Sequence, residues 1–339
     1  MKNDWRTGFG LSAVLAGAVC LSGCAGPPTV APSYANAAPA TVAYMVGDVD
    51  TAIKGYSAVA ANNGSLLGTL TYPASYYGGP LATDSAGQLY VAVAIDPIDP
   101  LNLGDIFIYP SNSTGSATPS RTININSYDV SALAVDPAGL LYVAINGSTT
   151  STVTVYSTTA NGAATPLRTL TLTNVGVTDI AADAAGNIYV AGPMITGNVI
   201  AVYPPTATGR ATPTRTINFG SSNVFGVAVD PAGHIYASVW PGQQVGIGFV
   251  IEEFASEASG EATPINTINL TAASPLTIIG GGPVRLDGAG NIFTSLFLSS
   301  PENIYSDVVY GFEPTANGGA VPTVQIAPTD GYNTFFALN

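Results

Sequence analysis

Two charged residues depart from the pattern of an internal repeat, and they are the first candidates for chemistry. Two places before a recurrent aspartate the repeats carry alanine, but one repeat carries Arg285. Four places before it they carry small or apolar residues, but one repeat carries Asp179. An arginine in a pocket could clamp the carboxylate of a substrate. The alternative is a structural ion pair, because a charge held away from water is costly unless it is paired.

The single histidine, His234, offers less. Zinc chemistry needs three or four nitrogen or sulfur ligands, which one histidine cannot supply. We interpret His234 as a polar residue beside a turn. The glycines at 280–282 are interpreted as a flexible loop, because a lone glycine run is weak evidence for a phosphate site.

Aromatic residues lie in segments that would form loops at one end of the repeats. Tyrosine and tryptophan in such loops are typical of contacts with carbohydrate or peptide, although they also cap strand ends. Carboxylates lie in the same segments, so this surface is expected to be acidic. The candidate ligand-binding residues are Tyr76, Tyr77, Tyr128, Trp240, Tyr332 and Arg285.

The repeat that positions these residues is plain in the sequence. An apolar triplet precedes Asp-x-x-Gly and an apolar-aromatic run follows, at Asp84, Asp136, Asp183, Asp230 and Asp287. We interpret the aspartates as turn residues, because an aspartate side chain bonds its own backbone and the glycine takes the positive φ. Arg121, Arg168 and Arg215 also recur, and we expect them to pack along the outer edge with solvated heads.

Each repeat has room for four short strands, and helix signals are absent. Four-stranded units with a period of about 40–50 residues are typical of propeller blades. Phe335–Leu338 matches the first strand of a sixth unit, whose other strands would lie at 42–46, 53–57 and 66–71. The sequence therefore predicts an all-β fold, a six-bladed β-propeller closed by pairing of the C-terminal strand with the N-terminal segment. A five-bladed ring with a loose N-terminus and an open solenoid are the alternatives.

The N-terminus carries an export signal. Lys2 and Arg6 precede an apolar run, 11–19, that is too short to span a bilayer, and Leu-Ser-Gly-Cys24 follows. These residues resemble the lipobox of bacterial lipoproteins, which implies cleavage before Cys24 and its acylation. An ordinary signal peptide with a chance cysteine is the alternative. We expect a signal peptide at 1–23, lipidated Cys24 and a Pro/Ala-rich tether at 24–40, and the propeller at 41–339.

Charge and cysteine content exclude several function classes. Removal of residues 1–23 leaves six basic and twenty acidic residues, a formal charge of −14. Nucleic-acid binding is excluded because it needs basic patches. Thiol catalysis is excluded because the lipobox resemblance implies that Cys24 is acylated and that Cys20 is lost with the signal. We expect a monomer on the exported side of the cell envelope, attached only by its lipid; if the cell is Gram-negative, the membrane is expected to be the outer one.

The repeat also resembles a known group. Asp183 to Ala191 reads Asp-Ala-Ala-Gly-Asn-Ile-Tyr-Val-Ala, and Ile-Ala-Val-Tyr-Pro-Pro follows at 200–205. These motifs resemble NHL-type and related six-bladed propeller repeats of bacterial exported proteins, over nearly the whole exported chain. That resemblance implies the architecture and leaves lactonases, lyases, sensors and scaffolding modules open.

Composition favours a non-catalytic binding or scaffolding module without a cofactor, whose ligand is an envelope glycan, peptide or protein. The alternative is a divalent-metal-dependent hydrolase resembling the lactonase propellers, which hold an ion with carboxylate and amide oxygens. A purely structural role in the envelope is a third interpretation. In the hydrolase, the Ca²⁺ ligands would be Asp129, Asp179, Asn223 and Asn333, at or just before the first strands of four blades.

Overall fold

A computed structural model gives the fold. It describes residues 42–46, 51–62, 64–73, 76–95, 104–127, 129–194, 197–242, 248–272, 275–302, 304–327 and 335–339. Within these ranges, no helix has the length and apolar character needed to cross a membrane. The predicted signal peptide, Cys24 and the tether lie outside the described residues.

The described residues form 24 strands in six sheets, and each sheet is one blade. Blade 1 consists of β24 (Phe335–Leu338), β1 (Val42–Val46), β2 (Ala52–Ser57) and β3 (Leu66–Thr71), with a 3-10 helix at Ala60–Asn62. Blade 2 consists of β4 (Tyr76–Thr83), β5 (Leu89–Ile95), β6 (Asp105–Tyr109) and β7 (Arg121–Asn124). Blade 3 consists of β8 (Val130–Val135), β9 (Leu140–Ile145), β10 (Thr150–Ser157) and β11 (Arg168–Thr173).

The other three blades follow in chain order. Blade 4 consists of β12 (Asp179–Ala182), β13 (Ile188–Met194), β14 (Gly197–Tyr203) and β15 (Arg215–Asn218). Blade 5 consists of β16 (Asn223–Val229), β17 (Ile235–Trp240), β18 (Val250–Phe254) and β19 (Asn266–Asn269). Blade 6 consists of β20 (Thr277–Leu286), β21 (Ile292–Ser299), β22 (Tyr305–Phe312) and β23 (Val324–Ile326). In each blade we call the strands A to D in the order given.

Ring closure matches the sequence prediction. Strand β24 pairs antiparallel with β1, from Ala43 opposite Leu338 to Val46 opposite Phe335. The A strands contact one another in the order β24, β4, β8, β12, β16, β20 and back to β24, so they surround the central axis. The chain is a six-bladed propeller, and the five-bladed and solenoid alternatives are wrong.

The hydrophobic core lies between the blades. Side chains of a strand alternate between the two faces of its sheet, and both faces are buried here. On β9, Leu141 and Val143 pack against blade 2, whereas Tyr142 and Ala144 pack against blade 4. Six such clusters fill the six gaps around the ring.

Backbone contacts also join neighbouring blades. The C–D loop of blade 2 places Gly115, at positive φ, beside the D strand of blade 1. The amide of Gly115 donates to Thr69 O over 2.7 Å, and its carbonyl accepts from the amide of Thr71 over 2.8 Å. Four further glycines repeat this bridge on the next four blades, at Gly162, Gly209, Gly260 and Gly318.

The Asp-x-x-Gly segments form the predicted A–B turns. Asp84 Oδ1 accepts from the amides of Ala86 and Gln88, at 3.0 and 2.9 Å, and Gly87 has a φ of 74°. The other turns repeat the amide bond from the residue four places on. This shared geometry confirms the structural interpretation of the aspartates.

Candidate functional site

The two charged residues that break the repeat pattern meet across the central channel. Arg285 of blade 6 donates to both carboxylate oxygens of Asp179 of blade 4, from Nη1 at 2.7 Å and from Nη2 at 3.0 Å. Asp179 is 2% exposed and also accepts from the amide of Val227 in blade 5 over 3.0 Å. Arg285 Nη1 donates to the carbonyl of Val284 as well. A bidentate pair with these extra bonds is the satisfied form that a buried charge requires.

This pair divides the channel into two ends. A cavity of about 200 Å³ at the A–B turn end is lined by all six A strands and by Arg285. A small hollow of about 40 Å³ on the other side of the pair contains Asp179 and Phe335 in its lining. Arg285 thus forms a structural ion pair with Asp179. The sequence had left this pair as the alternative to a substrate clamp.

Of the four residues proposed as a calcium cage, Asp179 and Asn223 have other side-chain partners and Asn333 lies outside the described ranges. Both oxygens of Asp179 are occupied by Arg285. Asn223 Oδ1 accepts from Asn198 Nδ2 over 3.4 Å, and burial raises the pKa of Asp129. Among the described residues, no three His, Cys, Asp or Glu side chains are grouped to hold a metal. Asn333 is not described, and the calcium site stays a prediction.

The mouth formed by the D–A and B–C loops holds two larger hollows that share Phe335. One, of about 270 Å³, lies toward blades 2 and 3 and includes Tyr77 in its lining. The other, of about 290 Å³, lies toward blade 6 and includes Phe297, Asp307 and Phe225. We call these two hollows and Phe335 the mouth site. Its walls are mainly apolar and aromatic, with a few polar groups, which is typical of ligand pockets.

A repeated Gly-Gly-Pro motif builds the walls of both hollows, and sequence reasoning missed it. Residues 78–80 on β4 and 281–283 on β20 are this motif, and each interrupts the register of its A strand with a bulge. A Cβ on Gly78 would lie 2.2 Å from Tyr72 Oη, and one on Gly282 would lie 2.1 Å from Ser295 Oγ. The prediction that 280–282 is a flexible loop is therefore wrong. The recurrence of the motif in two repeats was the signal available.

The predicted ligand-binding aromatics divide into two groups. Tyr77 lines the mouth site. Tyr76 packs edge-on against Phe107 with a centroid distance of 4.9 Å, and Trp240 stacks on Phe249 at 5.9 Å, so both fix strand ends. Tyr128 and Tyr332 lie outside the described residues. Both ring contacts fit the strand-capping alternative, and ligand contact at Tyr76 and Trp240 stays a prediction.

His234 lies beside its A–B turn, as predicted. Its amide donates to Asp230 Oδ1, and its Nδ1 lies 2.9 Å from Asp230 Oδ2 and 3.6 Å from Glu253 Oε1. Tyr236 donates its hydroxyl to Glu253 Oε1 over 3.1 Å. In blade 5 the hydrogen-bond partner of the turn aspartate's Oδ2 is therefore a histidine side chain.

Two of the three recurrent arginines, Arg121 and Arg168, do not have the solvated heads that the sequence suggested. Arg121 Nη1 donates to the carbonyl of Ala160 in the next blade over 3.0 Å. Arg168 Nη2 donates to the hydroxyl of Tyr142 over 3.3 Å. That hydroxyl donates to the turn carboxylate of Asp136 over 2.9 Å. For these two arginines the expectation fails because protein acceptors lie within reach of the guanidinium, whereas Arg215 Nη1 lies 3.3 Å from the carboxylate of Glu257, whose side chain is 88% exposed.

The chain is similar to several solved structures. A protein of unknown function from Bacteroides caccae superimposes with a TM-score of 0.59 at 9% identity, over 89% of this chain and 99% of that one. The WD40 β-propeller domain of Doa1 gives 0.49 at 14% identity over 80% and 86%. The WD40 domain of Toxoplasma gondii coronin gives 0.45 at 11% over 86% and 66%.

These likenesses concern the fold alone. No protein-family model and no curated relative matches the sequence. The fold and the site define a class, the six-bladed β-propellers with four-stranded blades.

Proposed function

We propose that this protein is a lipid-anchored module of the bacterial cell envelope that binds a glycan, a peptide or a partner protein at the mouth site, without catalysis. The observation that carries the proposal is the pair of aromatic hollows sharing Phe335. Aromatic walls with a few polar groups suit stacking against sugars or apolar side chains. The charges nearest the axis, Asp179 and Arg285, saturate each other.

The test of mouth binding uses the full chain against glycan and peptide arrays. Phe335→Ser and Phe297→Ser remove aromatic surface from the mouth site and are expected to lower binding of any captured ligand at least tenfold. The matched control is Val321→Ser, which removes a large apolar side chain that is 82% exposed. Binding that survives both mouth substitutions, or that falls equally in the control, would contradict the proposal.

The anchor is tested separately. Cells expressing the full chain are fed an alkyne-tagged fatty acid, and the protein is probed for label. Wild type is expected to carry label and to partition with membranes, whereas Cys24→Ser is expected to lose both. Label retained by Cys24→Ser would contradict lipidation at that residue.

The metal-dependent hydrolase is tested by thermal unfolding of the full chain before chelation, after it and after calcium is restored. A bound ion stabilises a fold by mass action, by about 2.7 kcal/mol at a hundredfold excess over its dissociation constant. Because Arg285 already occupies Asp179, we expect the melting temperature to stay unchanged. A fall that calcium reverses would favour the hydrolase.

A further inference from the structure

In every blade, four residues that are paired side by side across strands A to D form a row at the same register. The residue in strand D, the outermost of the four, differs between blades, and its side chain fills the gap to the next blade to a different extent. The row joins one residue each from strands A, B, C and D. In blades 2, 3 and 4 its members in B and D are tyrosine and arginine. The B and D pairs are Tyr90 with Arg121, Tyr142 with Arg168, Tyr189 with Arg215, Tyr236 with Asn266, Phe293 with Val324 and, in blade 1, Tyr44 with Gly68.

Blade 1 therefore keeps the tyrosine of this row and lacks the side chain of strand D. Its C-strand member is Gly55, where blades 2 to 4 carry Ile108, Val155 and Val202. In blade 6 the ring of Phe293 lies over Gly311 against Val324, which closes that row with apolar contacts. In blade 1 a crevice of about 180 Å³ opens instead, lined by Tyr44, Gly55, Gly68, Leu67 and Ser113 among others. Cavities of about 150 Å³ admit ligands as large as benzene.

The crevice presents the same acceptors that bind arginine elsewhere in the ring. Arg121 donates to the carbonyl of Ala160, two residues before the bridging glycine of the next blade. Asn266 donates to the carbonyl of Ala316, at the same position one repeat further on, over 2.9 Å. Ser113 is the residue two places before Gly115, and it lines the crevice.

Tyr44 supplies the second acceptor. In blade 3 the equivalent Tyr142 accepts from Arg168 through its hydroxyl, and the guanidinium lies 5.8 Å from the ring centroid. Tyr44 is 6% exposed and lines the crevice, and no described residue hydrogen-bonds its hydroxyl. The equivalent hydroxyls of Tyr90, Tyr142 and Tyr189 bond turn aspartates. A hydroxyl without a partner among the described residues and an aromatic ring thus line a space of side-chain size.

We propose that the crevice between blades 1 and 2 binds the arginine side chain of a partner polypeptide, with the guanidinium between the Tyr44 hydroxyl and the Ser113 carbonyl. Leu67 lines the crevice and is 55% exposed, so it offers apolar surface to the aliphatic stem of the arginine. The chain carries a formal charge of −13, which attracts cationic partners over distance. This site is independent of the mouth site.

The experiment titrates the full chain with Nα-acetyl-arginine methylamide by saturation-transfer NMR. The citrulline analogue is the matched control, because it has the same shape and lacks the charge. The arginine probe is expected to bind at least tenfold more tightly than the citrulline probe. Equal binding of the two probes, or no binding of the arginine probe up to its solubility limit, would overturn the proposal.

Two variants locate the binding. Gly68→Arg combined with Thr114→Ser fills the crevice from within and is expected to abolish probe binding; Thr114→Ser removes the methyl that lies 2.9 Å from a Cβ at position 68. Tyr44→Phe is expected to weaken binding about fivefold, and it preserves the fold because blade 6 carries Phe293 at this position. Thermal unfolding checks that both variants are folded. Probe binding that is unchanged in both would sink the assignment to this crevice.

Discussion

Blade 3 and blade 1 have the same strand order and register but treat the gap to the next blade differently. In blade 3 two members of the row, Tyr142 and Arg168, are joined by a hydrogen bond, and Tyr142 also donates to the turn residue Asp136. In blade 1 the row ends at Gly68, and a crevice opens. Both blades keep the parallel backbone bridge to the next blade, at Gly209 for blade 3 to blade 4 and at Gly115 for blade 1 to blade 2. The backbone bridge therefore carries the architecture, and the side-chain row is free to vary.

The largest loss of stability is expected in blade 6, whose row includes Arg285, the arginine that pairs with Asp179 in the channel. Arg285→Ala leaves the carboxylate of Asp179 buried without its cation, and removal of one partner of a buried pair costs about 3–5 kcal/mol. Chemical denaturation measures the loss. The double variant Asp179→Ala, Arg285→Ala is expected to be more stable than Arg285→Ala, since alanine occupies the Arg285 position in the other blades. A double variant as unstable as the single one would contradict a charge effect.

A smaller effect separates the two rows directly. Tyr142→Phe leaves the buried Asp136 carboxylate without one donor, which costs about 1–3 kcal/mol. Tyr44→Phe removes a hydroxyl that no described residue bonds, and it is expected to change stability by less than about 0.5 kcal/mol. Urea unfolding of the two variants measures the difference. Equal losses would show that the rows do not differ energetically.

Alkaline pH tests the rows of blades 2 to 4, in which the tyrosine hydroxyl donates to the turn aspartate. Burial, with the nearby Asp183 carboxylate, raises the pKa of Tyr189 to about 12. A pKa that is higher in the folded than in the unfolded state gives stability that is complete below about pH 10 and is lost as pH rises toward 12. The expected slope is at most about 1.4 kcal/mol per pH unit for one such tyrosine. Tyr189→Phe should flatten the profile of unfolding free energy against pH, whereas Tyr44→Phe serves as the control.

The smallest change in stability is expected when the row of blade 1 is given the arginine that blade 3 carries. Gly68→Arg with Thr114→Ser gives blade 1 the arginine of blade 3, and it is expected to stabilise the fold by about 0.5–1 kcal/mol through a hydrogen bond and a cation–π contact. Gly68→Gln with Thr114→Ser is the uncharged control and is expected to stabilise less. Melting temperatures measure both. A loss of stability in the arginine variant would show that the crevice is not built like the arginine sites.

Sequence reasoning predicted the six blades, the Asp-x-x-Gly turns and the closure at Phe335–Leu338 because each follows from local chemistry repeated at a fixed period. It also identified Asp179 and Arg285 as exceptions by comparing repeats. It missed the destination of Arg121, Arg168 and Arg215, and the bulges at the two Gly-Gly-Pro motifs.

What the sequence by itself determined is the periodic part of the molecule, since turns and strand alternation depend on neighbours in the chain. The tertiary structure alone decided which residues of different repeats meet. Asp179 and Arg285 are 106 residues apart and touch because the first strands of blades 4 to 6 are packed around one channel. The crevice beside Gly68 exists only because blade 2 packs there. Such contacts depend on the rotation from one blade to the next, a property of the packed ring that no stretch of sequence carries.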